Sequence, residues 1–124
     1  MYLYSFRREQ IVNDKSQLFS VFTERSKENA NVFILTFEES GFPQLSVFIR
    51  NNFCVIYYLD DKGNSYVSYN RENRKHGSYP FYENDESMIE LAYESILDVR
   101  ILNNIASVFY DTKKRPMCID WIEL

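Results

Sequence analysis

The chain has 124 residues, 45% hydrophobic and 26% charged, with a formal net charge of −4. That is one ordinary globular domain, residues 1–124, able to bury one modest core. Eighteen acids against fourteen bases speak against a general nucleic-acid binder, which must neutralise phosphates. The aromatic share is 17%, from ten Tyr, ten Phe and one Trp, beside only three Gly and three Pro. Tyr and Phe favour strands, and Tyr sits well half in water.

The first residues, Met1-Tyr2-Leu3-Tyr4-Ser5-Phe6-Arg7-Arg8, carry too short an apolar piece for a signal peptide, and their charges follow it. Tyr2 to Arg7 alternates weakly, as a first strand would. Asp14 or Ser16 can cap a helix running to about Arg25, with Leu18, Phe19, Val21 and Phe22 at helical spacing. Ser26 to Asn31 reads as a loop.

A dense strand region follows. Asn31 to Glu38 is β-branched and aromatic, and Glu39-Ser40-Gly41-Phe42-Pro43 is a turn. In Gln44 to Arg50, Leu45, Val47 and Ile49 face one side, while Gln44, Ser46 and Arg50 share the other with Phe48. Asn51-Asn52 makes a hairpin connection to Phe53–Leu59, apolar on both faces like a central strand. This apolar run is far below a membrane span. Asp60-Asp61-Lys62-Gly63-Asn64 is a second hairpin turn, and Ser65 to Asn70 alternates again.

Arg71 to Ser78 is a polar loop. Tyr79 to Tyr82 is a short strand that Pro80 places at an edge. Asn84-Asp85-Glu86 is an acidic turn, and Met88 to Tyr93 fits a strand or a helix start. From Ile96 to Tyr110, Leu97, Ile101, Leu102, Ile105, Val108 and Phe109 make a helical stripe that Pro116 stops. Met117 to Ile122 is the expected last strand. Trp121 and Phe109 are expected to be largely buried and near each other. Cys54 and Cys118, both in apolar segments, are expected to be reduced and to face the core.

The chemistry-bearing residues are sparse. His76 is the only histidine, in a charged loop without partners nearby in sequence. The three glycines all sit in turns, so no phosphate-binding loop is present. The carboxylate pairs Glu38-Glu39, Asp60-Asp61 and Asp85-Glu86 lie at strand ends or turns, where acids are normally solvated. Two readings compete with plain solvation: an acidic patch for a basic protein partner, or an enzymatic or ligand-binding site using the acidic pairs and His76. A third reads the tyrosine-bearing strands, with Arg71, Arg74 and Lys75 beside Tyr69 and Tyr79, as a single-strand nucleic-acid platform, although Glu72, Glu83, Asp85 and Glu86 flank it. Tyrosine is equally a favoured anchor at protein interfaces.

The order of parts completes the reading. The hairpin strands from Gln44 to Asn70, the aromatic strand at Tyr79–Tyr82 and an acidic turn precede a helix ending Phe109-Tyr110-Asp111-Thr112. Arg115-Pro116 and Ile119-x-Trp121 then close the chain. Over roughly residues 44 to 123 this resembles the immunity-protein-one family of bacterial polymorphic toxin and contact-dependent inhibition systems. The family's usual glycine after the helix-terminal threonine is here Lys113, and its usual helix-opening proline is absent at Ser95-Ile96-Leu97-Asp98.

The resemblance implies a small cytoplasmic antitoxin, not an enzyme. It would bind and neutralise a cognate toxin domain, with no cofactor, metal, nucleic acid or membrane. The fold expected is α+β: an antiparallel sheet of about five or six strands packed by helices near residues 15–26 and 96–110. The residues placed at the partner surface are Asp60, Asp61, Tyr66, Tyr69, Tyr82, Glu83, Asp85 and Glu86.

Overall fold

The computed structural model describes residues 1–6 and 8–124; Arg7, the expected end of the first strand, lies outside the described residues. In chain order the elements are β1 (Tyr2–Tyr4), β2 (Glu9–Ile11), α1 (Lys15–Val21), β3 (Ala30–Thr36), β4 (Gln44–Arg50), β5 (Phe53–Leu59) and β6 (Ser65–Tyr69). They continue with β7 (Ser78–Tyr82), β8 (Met88–Ala92), β9 (Leu97–Asp98), α2 (Leu102–Thr112) and β10 (Asp120–Glu123). The fold is α+β, as the sequence predicts, with more strands than expected. An eight-stranded antiparallel sheet runs β10-β6-β5-β4-β3-β1-β2, with β9 paired to β5, and β7–β8 form a separate hairpin.

The pleat sorts side chains onto two faces, and the alternation read in β4 decides which is which. Leu45, Val47 and Ile49 join Leu3, Phe33, Leu35, Cys54 and Ile56 in a core under the helices. From α2 come Leu102, Ile105, Ala106 and Phe109, all buried at the spacing of one helical stripe. From α1 come Leu18 and Val21; the helix opens on Asp14, whose side chain accepts from the Gln17 N–H at 2.8 Å. The opposite face carries a smaller core where Phe81 and Leu91 of the β7–β8 hairpin meet Val55, Val67 and Ile96.

The hairpin covers only one end of that second face. The register sets Ala30, Arg50, Phe53 and Asp98 side by side at this end, and Thr36, Gln44, Leu59 and Ser65 at the other. Phe53 meets Tyr79 edge-on with centroids 5.1 Å apart, and the Arg50 Nη1 donates to the Pro80 carbonyl at 3.2 Å. Further along the hairpin, the Ser26 hydroxyl donates to Asp85 at 2.9 Å. The other end of the face stays open.

Three expectations at the C-terminal end need correction. The helix starts at Leu102, not Ile96, because Leu97 pairs with Cys54 as a short strand and the Asp98 carboxylate then caps a 3-10 turn over Val99–Ile101. The last strand starts at Asp120, not Met117. The Trp121 indole N–H donates back to the Pro116 carbonyl at 2.6 Å, and that bond curls residues 116–119 into a turn. Cys118, carried on this turn, is exposed instead of facing the core; Cys54 is buried, and both are free thiols. Trp121 itself is half-buried at the margin of the helix-side core, while Phe109 is fully buried within it. Lys113 takes the left-handed conformation at φ 56° that a glycine would adopt with less strain.

A candidate partner-binding face

The β5–β6 turn is built by Asp60. Its Oδ1 accepts from the backbone N–H groups of Lys62 at 2.8 Å and Asn64 at 2.9 Å, and its Oδ2 from the Asn64 side chain at 2.9 Å. The side-chain bond from Asn64, then the backbone bonds, hold its carboxyl below the usual carboxylate range. Asp60 is therefore a turn-forming residue as well as a charge, while Asp61 beside it is exposed.

The tyrosines fall on different surfaces. Tyr66 lies on the helix side, under the Arg115 guanidinium at 3.9 Å and against Tyr58. Tyr69 is three residues on, which the pleat places on the opposite face. Tyr82 is held between Lys27 and Arg50, at 5.9 and 5.6 Å from its ring centroid. In the β7–β8 turn Glu83 and Glu86 are exposed and Asp85 is half-buried against Ser26. The two acidic turns are not adjacent. Asp60-Asp61 stand at the open end of the sheet, and Asp85-Glu86 on the hairpin that covers the other end. His76 is exposed in the loop before β7.

Between these turns lies a groove of about 390 Å³. Its floor is the open part of the second sheet face: Ile34 of β3, Gln44, Ser46 and Phe48 of β4, and Tyr57 and Leu59 of β5. Ile89 and Glu83 of the hairpin form one wall. Phe48 and Tyr57 meet edge-on at 5.8 Å, and Gln44 donates to the Ser46 hydroxyl at 2.7 Å, so the floor is apolar with one polar strip. Burial pushes the Tyr57 hydroxyl pKa above its ordinary value. No Lys or Arg lines the groove among the described residues. Leu59 leads directly into Asp60 and Asp61, and Glu38-Glu39 follow β3 at the same end.

The chain is similar over its whole length to the double-stranded DNA deaminase immunity protein of Burkholderia cenocepacia. The two are 35% identical over 125 aligned residues, covering 100% of each chain. The chain belongs to the toxin immunity proteins. No protein-family model matches it. An immunity protein inhibits a toxin by binding it, so its working part is a surface, not a constellation of reacting groups. That agrees with the scattered placement of its carboxylates and His76.

Sequence reasoning found the turns of this immunity protein but not the groove between them. The signal was present in β4, where Gln44, Ser46 and Phe48 alternate on a face that central-strand residues normally hide. What was missing is the knowledge that the β7–β8 hairpin stops short of them.

Proposed function

We propose that this immunity protein neutralises a cognate toxin that deaminates double-stranded DNA, within the cytoplasm, as part of a polymorphic toxin or contact-dependent inhibition system. The observation that carries this reading is the full-length similarity to an immunity protein named for that toxin activity. Charge supports it. A deaminase that takes duplex DNA must present a basic cleft to the phosphates, and this chain is acidic, with a net charge of −4. Acidic turns set against such a cleft would exclude DNA and speed association.

The surface assigned to the toxin includes Asp61, Glu83 and Glu86, which are exposed, together with Asp60 and Asp85 as charges fixed by the turns that hold them. Tyr69 and Tyr82 are carried as further contacts of this surface; Tyr66, on the helix side under Arg115, would have to act from the opposite face.

The test is an in vitro deamination assay on duplex DNA, using the candidate cognate deaminase domain. Titrated protein should bring deaminated-base formation to zero near one equivalent. Undiminished deamination at a several-fold excess would overturn the reading.

A further inference from the structure

We propose that the groove between the β5–β6 turn and the β7–β8 hairpin receives an apolar side chain from a Lys- or Arg-bearing segment on the rim of the toxin's DNA cleft. This rests on the reading of the toxin as a double-stranded DNA deaminase and names the contact within it. Two features of the groove choose the occupant. Its floor, from Ile34 through Phe48 and Tyr57 to Leu59, is an apolar patch that this chain leaves half-buried. Such a patch, rimmed by polar groups, is the form of a protein-binding site.

Its charge balance is acidic. Glu83, in the wall, is the one charged side chain lining the groove among the described residues, and Asp60 and Asp61 follow Leu59, with Lys62 next to them in the same turn. The other cations of the neighbourhood lie over aromatic rings. Lys27 and Arg50 lie over the ring of Tyr82, and Lys113 and Arg115 over Phe37 and Tyr66 on the helix side. An apolar floor between fixed acids fits an apolar anchor with basic neighbours. A second copy of this chain fits poorly, because it would bring the same acids together. Gln44, whose side-chain amide donates to the buried Ser46 hydroxyl, keeps its side-chain carbonyl for the backbone of the incoming segment.

The occupied groove would act through the segment it holds. A toxin that grips DNA with that rim cannot give it to both partners, so DNA and immunity protein should compete.

The experiment measures affinity for a catalytically inactive variant of the candidate cognate deaminase domain. The groove variants are Gln44→Arg and Leu59→Arg, the wall variant is Glu83→Arg, and the control on the helix face is Asn103→Arg. Gln44 and Glu83 are not core residues, so these variants keep the fold even if Leu59→Arg does not, as circular dichroism would show. The expected result is a loss of about 50-fold or more for the groove variants and about tenfold for Glu83→Arg, with the control within about twofold. Duplex DNA should displace the wild-type protein in competition. If wild type binds and Gln44→Arg and Glu83→Arg bind equally well, the groove assignment is wrong while the toxin assignment stands. If wild type does not bind the deaminase, the toxin assignment itself fails. Sedimentation showing a free dimer that Gln44→Arg dissolves would overturn the proposal in favour of a second copy.

Discussion

Phe109 and Trp121 should differ sharply in what they contribute to stability, although the sequence marks both as core. Phe109 is fully buried, tilted against Phe37 at 5.4 Å and edge-on to Tyr58 at 6.3 Å. Phe109→Ala removes those contacts and leaves a cavity under α2, at a cost of about 3–5 kcal/mol. With an unfolding entropy of about 2.1 cal/mol/K per residue, 124 residues give about 0.26 kcal/mol/K. The melting temperature should therefore fall by about 12–19 °C. Trp121 is only half-buried, so Trp121→Ala gives up part of the transfer term plus one hydrogen bond, about 1.5–3 kcal/mol. Trp121→Phe isolates the bond to the Pro116 carbonyl and should cost about 0.5–1.5 kcal/mol. Denaturant unfolding of the three variants, followed by circular dichroism, reads all of these. If Trp121→Ala costs as much as Phe109→Ala, the tryptophan is a core anchor and the assignment of the C-terminal turn as peripheral is wrong.

Ser68 is fully buried, accepting from the Ile56 N–H at 3.1 Å and donating to the Ser95 carbonyl at 2.7 Å; Ser68→Ala strands both groups and should cost about 1–3 kcal/mol in denaturant unfolding. Native thiol titration should find Cys118 alone reactive within minutes and two thiols after denaturation; two fast native thiols would refute the placement of Cys54. Burial raises the Cys54 thiol from 9.0 to about 12, so the stability from keeping it neutral is whole below pH 9.0 and is lost as pH rises toward 12. Melting of wild type should therefore drop more than that of Cys54→Ala between pH 8 and pH 10.5, a comparison that cancels the similarly raised Tyr57 and Tyr58. Association with the toxin should slow as salt rises from low to physiological strength, and Asp61→Lys should flatten that dependence; an unchanged salt slope would remove Asp61 from the interface.

The central sheet was readable because β4, β5 and β6 carry both signals a strand needs, alternation and turn residues at their ends. The short strands were not. β2 spans Glu9–Ile11 and β9 spans Leu97–Asp98, too few residues for any period to show. Leu97 also sat at helical spacing from Ile101, and only its pairing with Cys54 of β5 makes it a strand residue. The turn after α2 was misread for a similar reason. Pro116, Met117, Cys118 and Ile119 are apolar and look continuous with Trp121. The bond from the indole to the Pro116 carbonyl, which sets the strand start at Asp120, is a tertiary contact that no local pattern reveals. For the partner face, Asp60-Asp61 and Glu83 were legible as turn acids, but what lies between them depends on how far the hairpin reaches across the sheet.

The two faces of the sheet divide the work in a way that suits an immunity protein. The helix side holds most of the fully buried side chains, including Leu3, Leu18, Phe33, Leu45, Ile56, Ile105 and Phe109. Substitution there costs several kcal/mol against a total stability of about 5–15 kcal/mol. The groove floor on the other side is made of half-buried residues such as Ile34, Phe48, Tyr57 and Leu59. A change among these loses less core contact than one under α2, although Phe48 and Tyr57 still pack on each other and on the second core. If the proposed groove binds the toxin, specificity for one toxin over another could be rewritten there at smaller cost to folding than under α2, provided the β7–β8 hairpin keeps its seat. That seat depends on Arg50, whose side chain donates to the Pro80 carbonyl and lies over the rings of both Tyr79 and Tyr82. Arg50 shares that seat with the Phe81–Leu91 core and the Phe53–Tyr79 ring contact, so loosening it should shift the wall carrying Glu83 without touching the core beneath α2.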